Sequence, residues 1–250
     1  MKWIDAWYPV ILDRSILSQV PQLVEKRNGE FCVSLELEPS FIADICYHGY
    51  MPMGEMTANR PLLLIKSHQQ RCVLDLQNLH ISRKLKRYAR SLTLRINYNF
   101  SDCLDRIAKH HSQTWLIPPL CEALSHLHQQ AIAGIAFHSI EVYDGQQLVA
   151  GEVGYTTGAI YSSLAGFHTQ NGAGSVQLAV LGLILIENEF AFWDLGMEVP
   201  YKLTLGAQIV DRKTFLHRWQ THRKEKTPPW SVHQLNSEQI IQKLRENRAV

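Results

Sequence analysis

The chain has 250 residues, 46% of them hydrophobic and 19% charged, with a formal net charge of +2. These are the proportions of an ordinary globular chain, long enough to bury a full core as one domain or as a small-plus-large pair. The longest apolar run, residues 178–186 (LAVLGLILI), is too short to cross a bilayer, and the opening MKWIDAWYPV has no leader-cleavage pattern, so a cytoplasmic protein without membrane contact is expected.

Cysteines at 32, 46, 72, 103 and 121 are odd in number and form no C-x-x-C pair. Neither His110-His111 nor His126-x-His128 has the i, i+4 spacing of two ligands on one helical face. Neither a disulfide framework nor a metal site is expected.

In chain order, Phe41, Ile42, Ile45 and Cys46 predict a short amphipathic helix stopped by Gly49, within a small helix-plus-strand domain over residues 1–75. Leu92, Leu94, Ile96 and Tyr98 alternate with polar residues and predict a strand. Two helical stretches follow, one capped near Ser101 and the other restarting at Pro118-Pro119. The period then changes to two. Residues 138–167 read as three antiparallel strands, turning at Asp144-Gly145 and near Thr157-Gly158. The nearly all-apolar GSVQLAVLGLILIENE predicts a buried helix, followed by the strand AFWDLGM. This order describes a layered α/β (α+β) domain over residues 76–224. From Glu225 the chain becomes charged and breaks at Pro228-Pro229, which predicts a solvated tail over residues 225–250 with a helix starting near Ser237.

One segment stands out in this nearly neutral chain. HISRKLKRYAR carries Arg83, Lys84, Lys86, Arg87 and Arg90, and no acid lies between Asp75 and Asp102. A helix capped by Ser82 would place Arg83, Lys86, Arg87 and Arg90 on one face and Leu85, Tyr88 and Leu92 on the other. Such a cationic strip, without acids nearby to neutralise it, suits phosphates of a nucleic acid better than a solvated helix face.

Four segments carry a resemblance: LHISRKLKR, the run from Thr114 to Gly151 (TWLIPPLCEALSHLHQQAIAGIAFHSIEVYDGQQLVAG), LGAQIVDRKTFL, and the weaker GEFCVSLELEPSFIADICYHGYMPM. Together they resemble the leucyl/phenylalanyl-tRNA-protein transferase family, over most of the chain up to about Trp219. The resemblance implies an N-terminal domain joined to a GNAT-like catalytic domain with a mainly antiparallel sheet. It also implies an aminoacyl-tRNA and an acceptor protein or peptide N-terminus as partners, no cofactor, and a basic helix that receives the tRNA acceptor end. A monomer is expected.

The pocket departs from the family pattern. Leu164 stands where the family has glutamate, Gly166 where it has methionine, Gly196 where it has glutamine, and Glu152 where a methionine lines the aminoacyl pocket; Phe167 and Asp194 are kept. Asp194 is expected either to hold or deprotonate the acceptor amine or to cap its strand. Trp115 is expected either to stack on the terminal adenine, or line the aminoacyl site, or to be a core residue. Glu152, if it points inward, and Gly166, by removing volume, favour transfer of arginine or lysine over leucine or phenylalanine. Two alternatives stay open: a tRNA or protein-N-terminus binder without catalysis, and an acyl-CoA-dependent N-acetyltransferase.

Overall fold

Pro39, Pro118 and Pro200 each open a helix, at the position where a missing N–H costs nothing. In the computed structural model, which describes residues 8–58, 60–111 and 114–246, the first part of the chain forms a small layer. Helices α1 (Val20–Glu25) and α2 (Pro39–Tyr47) pack on a three-stranded antiparallel sheet. Its strands β1 (Phe31–Ser34), β2 (Met51–Met56) and β3 (Pro61–Lys66) run in the order β1-β3-β2. Helix α2 ends as its sequence predicts: Phe41, Ile42, Ile45 and Cys46 are buried, and Gly49 takes φ +83°, a conformation that costs glycine little.

The second, larger sheet begins earlier than the expected boundary at residue 75. Strand β4 (Gln70–Leu74) already belongs to it, so the small layer closes at the turn over residues 67–69. The basic segment follows as a single turn of α-helix, α3 (Leu85–Tyr88), and leads into β5 (Leu92–Ile96). Helices α4 (Phe100–His110) and α5 (Pro118–Gln129) come next. The three long strands read from the sequence are β6 (Ala136–Asp144), β7 (Gln147–Thr157) and β8 (Ile160–His168), with Gly145 and Gly158 at positive φ in their turns. The apolar helix α6 (Ala173–Glu187) leads to β9 (Phe192–Gly196), α7 (Pro200–Thr204), β10 (Gln208–Asp211) and α8 (Arg212–His222).

The charged C-terminal part is not a solvated tail. Its residues 234–235 form an edge strand, β11 (Gln234–Leu235), paired with β5, and α9 (Ser237–Glu246) buries Ile240 and Leu244. Charge count hid this, because an apolar pair at i, i+4 suffices to dock a helix otherwise covered with polar residues. The finished sheet has the order β10-β4-β9-β8-β7-β6-β5-β11 and is antiparallel except for the β8–β9 pair.

Alternation along β6 divides the core. Phe137 and Tyr143 join the cluster shared with α4, α5, α8 and the small layer, while Ile140 and Val142 join the cluster under α6, α9 and the basic segment. Because Ile240 is fully buried in the second cluster, Ile240→Ala should lower unfolding free energy by about 2–5 kcal/mol, read from urea denaturation. A variant as stable as the wild type would mean that α9 does not dock.

Candidate active site

Strands β8 and β9 pair in parallel only at Ile160↔Phe192, Tyr161↔Trp193 and Ser162↔Asp194. Beyond that point β8 follows β7 to its end and β9 follows β4, so the two part. A crevice at the carboxyl ends of parallel strands is where layered α/β sheets commonly take ligands. Here it has two lobes. The wider, about 340 Å³, is lined by Glu152, Phe167, Asn171, Gly172, Ser175 and Gln177 among others. The narrower, about 220 Å³, is lined by Met51, Arg71, Trp115, Tyr155, Ser162 and Gly196 among others. Leu164, Gly166, Leu195 and Lys202 border both.

Behind the parting point lies a buried ion pair. Arg71 on β4 donates from Nε to Asp194 Oδ1 at 2.8 Å and from Nη2 to Oδ2 at 2.7 Å. Asp194 also accepts from Ser162 Oγ at 2.6 Å and from the Gly196 N–H at 2.9 Å, so each carboxylate oxygen holds two bonds. The third guanidinium nitrogen donates to His68 Nδ1. Burial, and then the Arg71 charge, hold the His68 imidazole far below its usual range and therefore neutral. Bidentate pairing of this kind is strong, and removing one partner strands a buried charge. Asp194 is fully buried and borders neither lobe; Ser162 and Arg71, its partners, do.

Glu152 on β7 faces inward, opposite Gly166 of β8. Its Oε1 accepts from Tyr161 at 2.9 Å and Ser163 at 2.8 Å, and its Oε2 from Gln177 of α6 at 2.8 Å. Burial raises its pKa, against the three hydrogen bonds and the Lys202 charge, which lower it. Lys202 on α7 donates to the carbonyls of Leu195 at 2.5 Å and Met197 at 2.8 Å, and burial lowers its pKa.

Gly166 is exposed, and a Cβ there would come within 3.0 Å of the Gly151 carbonyl oxygen and 3.2 Å of Glu152 Cβ. The position is therefore close-packed against β7 as well as open to both lobes. Phe167 is buried against the wider lobe, and Trp115 is half-buried at the narrower one, its carbonyl accepting from the Gly54 N–H at 2.8 Å.

The basic segment differs in shape from the expected helix. After the single turn of α3 it tightens into a 3-10 turn over Ala89–Ser91, and Ser82 Oγ accepts only from the Lys84 N–H, at 3.4 Å. Buried Leu85 and Ala89 anchor it, which bends the chain into β5 before a second helical turn can form. Arg83, Lys84, Arg87 and Arg90 are exposed and Lys86 is half-buried. The Tyr88 ring lies over Gly172 at the start of α6, where φ is +81° and a Cβ would fall 2.4 Å from the ring. The basic segment thus packs on the start of α6, where Gly172 lines the wider lobe.

Several lining residues carry little mark in the sequence. Arg71 is visible only as a charge breaking the run before CVL, and its partner Asp194 lies 123 positions away. Ser162, Tyr155, Gln177 and Lys202 gave no signal by spacing. Among the described residues, no three His, Cys, Asp or Glu side chains are grouped to hold a metal ion, and no helix is long and apolar enough to cross a membrane.

Residues 73–220 match the family described as leucyl/phenylalanyl-tRNA protein transferase. The chain is similar to the leucyl/phenylalanyl-tRNA–protein transferase of Tolumonas auensis, with 28% identity over 88% of this chain and 94% of that one. It is also similar to that of Xylella fastidiosa strain M23, with 31% identity over 76% and 77%. Among solved structures, a GCN5-related N-acetyltransferase from Anabaena variabilis aligns with a TM-score of 0.38 and 14% identity, over 78% of this chain and 47% of that one.

Glu152 supplies a pH-dependent test of the site. A carboxylate whose pKa is raised in the fold binds its proton more tightly folded than unfolded, so its contribution to stability falls as pH rises above the ordinary value of 4.5. Glu152→Gln removes that titration and should gain on the wild type as pH is raised from there, measured as urea midpoints across a pH series. A difference that stays constant with pH would mean that Glu152 titrates as it does in the unfolded chain.

Proposed function

The chain belongs to the leucyl/phenylalanyl-tRNA–protein transferase family, and on that premise we propose that it moves an aminoacyl group from tRNA onto the α-amine of an acceptor protein or peptide N-terminus. The observation that supports the reading in this molecule is the seating of Tyr88, from the basic segment, on Gly172, a residue that lines the wider lobe. Phosphates held by Arg83, Lys84, Arg87 and Arg90 would leave the charged end of the tRNA within reach of the wider lobe. The contacts are of the kind that position a nucleic acid without reading its sequence.

The chemistry asks little of acids and bases. The ester is already activated by its ribose leaving group, and holding amine and carbonyl together can supply on the order of 7–11 kcal/mol in well-oriented cases. Asp194, with both oxygens occupied, fits a positioning role: it fixes Ser162 and Arg71 at the wall of the narrower lobe. Trp115 and Phe167, one at each lobe, supply flat apolar surface for the adenine and the aminoacyl group.

For the aminoacyl side chain, Glu152 turned into the wider lobe supports a polar end to the pocket. The case for arginine or lysine is weaker than the sequence suggested. Tyr161, Ser163 and Gln177 already donate to Glu152, and the Lys202 charge acts on it as well, so the carboxylate does not require a substrate cation. Glu152 as the floor of the pocket still has a consequence. Across tRNAs charged with Leu, Phe, Arg or Lys, Glu152→Met should shift transfer towards Leu and Phe, and an unchanged ranking would remove Glu152 from the aminoacyl pocket.

The direct experiment incubates the protein with radiolabelled aminoacyl-tRNAs and a peptide with a free N-terminus. Label should enter that peptide and not its N-acetylated form. Replacing Arg83, Lys84, Arg87 and Arg90 with Glu should abolish tRNA binding without unfolding, and wild-type binding should weaken steeply with salt. Retention of tRNA without any transfer would favour a non-catalytic binder; unchanged affinity in the variant would take this segment out of the interface.

A further inference from the structure

Forming a peptide bond releases a proton from the acceptor amine, and the charged residues of the cleft offer that proton no place. Asp194 borders neither lobe, and both its oxygens are occupied. Glu152 borders only the wider lobe and already accepts from Tyr161, Ser163 and Gln177. Lys202 Nζ is tied to the Leu195 and Met197 carbonyls, and the Arg71 guanidinium has donors only. Burial raises the Tyr155 and Tyr201 phenols, which keeps both protonated. Among the described residues, the imidazole that lines the narrower lobe is that of His111.

His111 is the C-cap residue of α4, and its Nε2 lies 3.2 Å from the Gly166 carbonyl oxygen on β8. A carbonyl can only accept, so Nε2 carries the hydrogen, and the neutral ring keeps its lone pair on Nδ1. Nδ1 makes no hydrogen bond among the described residues. His110, the last residue of α4, packs edge-on against this ring at 5.5 Å and lies 6.1 Å from the Phe167 ring. Gly166 borders both lobes, so its carbonyl ties the imidazole to the join between them. Resting on the reading of the cleft as an aminoacyl-transfer site, we propose that His111 Nδ1 takes the proton of the acceptor amine as it attacks the ester and returns it to the leaving ribose oxygen.

In that step the nitrogen lone pair of the acceptor amine adds to the carbonyl carbon, and the C=O π pair moves onto the oxygen. The amine nitrogen, now positive, gives one proton to Nδ1, and the ring becomes an imidazolium. Collapse restores the C=O bond and breaks the ester C–O bond, and Nδ1 gives its proton to the ribose oxygen as that oxygen leaves. The C–N bond has formed, the ring is neutral again, and the Nε2 hydrogen has stayed on the Gly166 carbonyl throughout. Two features favour the imidazolium while it lasts: its place at the C-terminal end of α4, where the helix dipole attracts positive charge, and the Gly166 carbonyl itself.

The test uses the full chain with His111→Gln and His111→Ala, in single-turnover transfer from saturating tRNA charged with Leu, Phe, Arg or Lys to a peptide with a free N-terminus. His111→Gln keeps an N–H for the Gly166 carbonyl but has no basic nitrogen, so its transfer rate should fall about 100-fold with tRNA affinity and Tm unchanged. His111→Ala should be as slow, and added imidazole should raise its rate with concentration while leaving the wild type and His111→Gln unmoved. Transfer by His111→Gln within about threefold of the wild type overturns the proposal, because the ring then only supports Gly166. A slow His111→Ala that imidazole does not restore also overturns it, as does a loss confined to tRNA affinity with the saturated rate unchanged. In each of these cases the wild type still transfers and the transferase reading stands. A wild type that transfers nothing overturns both.

Discussion

The Arg71–Asp194 pair holds the place where the large sheet divides. Arg71 comes from β4 and Asp194 from β9, two strands that pair with each other through a register shift at Cys72/Val73, and Ser162 of β8 joins them through Asp194. Past this point β8 and β9 go separate ways, and the backbone groups left without a strand partner need another. Gly196 turns back with φ +77° and donates to Asp194, while Lys202 donates to the Leu195 carbonyl. A buried ion pair is not in itself a gain in stability over well-packed apolar residues. Its worth here is that four hydrogen bonds on one carboxylate admit a single arrangement of three strands.

The cleft that results sets a few buried polar groups among apolar side chains such as Leu164, Phe167 and Leu195. One lobe is floored by Glu152 under three donors, and the other is walled by Arg71, Ser162, Tyr155 and Lys202. Arg71 is paired with Asp194 behind this wall, and Lys202 is held by backbone carbonyls. The small layer closes the narrower lobe from one side through Met51, and the basic segment borders the wider lobe through Tyr88 on Gly172. The small layer and the basic segment therefore meet the two ends of one crevice by packing.

Much of this was legible in the sequence where a local pattern decides the structure. The α2 helix and its Gly49 stop, the hairpins at Asp144-Gly145 and Thr157-Gly158, and the buried α6 follow from periodicity and turn chemistry alone. The family resemblance rested on motifs spread along the chain. What stayed hidden depends on partners distant in sequence. For Asp194 the sequence leaves a contact with the acceptor amine or a strand cap, and the pairing with Arg71 is invisible because Arg71 lies far upstream. The cationic helix is shorter than its period predicts because Leu85 and Ala89 are buried as the chain turns into β5. Likewise the C-terminal segment looked solvated because its charge count masks Ile240 and Leu244.

The buried pair organises the cleft, and a double-mutant cycle on Arg71→Met and Asp194→Leu measures whether it does. Each single variant should lose about 3–5 kcal/mol in urea unfolding, because each strands a buried charge. The double variant should lose less than the sum, with a coupling energy above about 2 kcal/mol. Even where it recovers stability, it should fail to transfer an aminoacyl group at the wild-type rate. Additive losses, or a double variant that transfers as the wild type does, would mean that the Arg71–Asp194 pair does not organise the cleft.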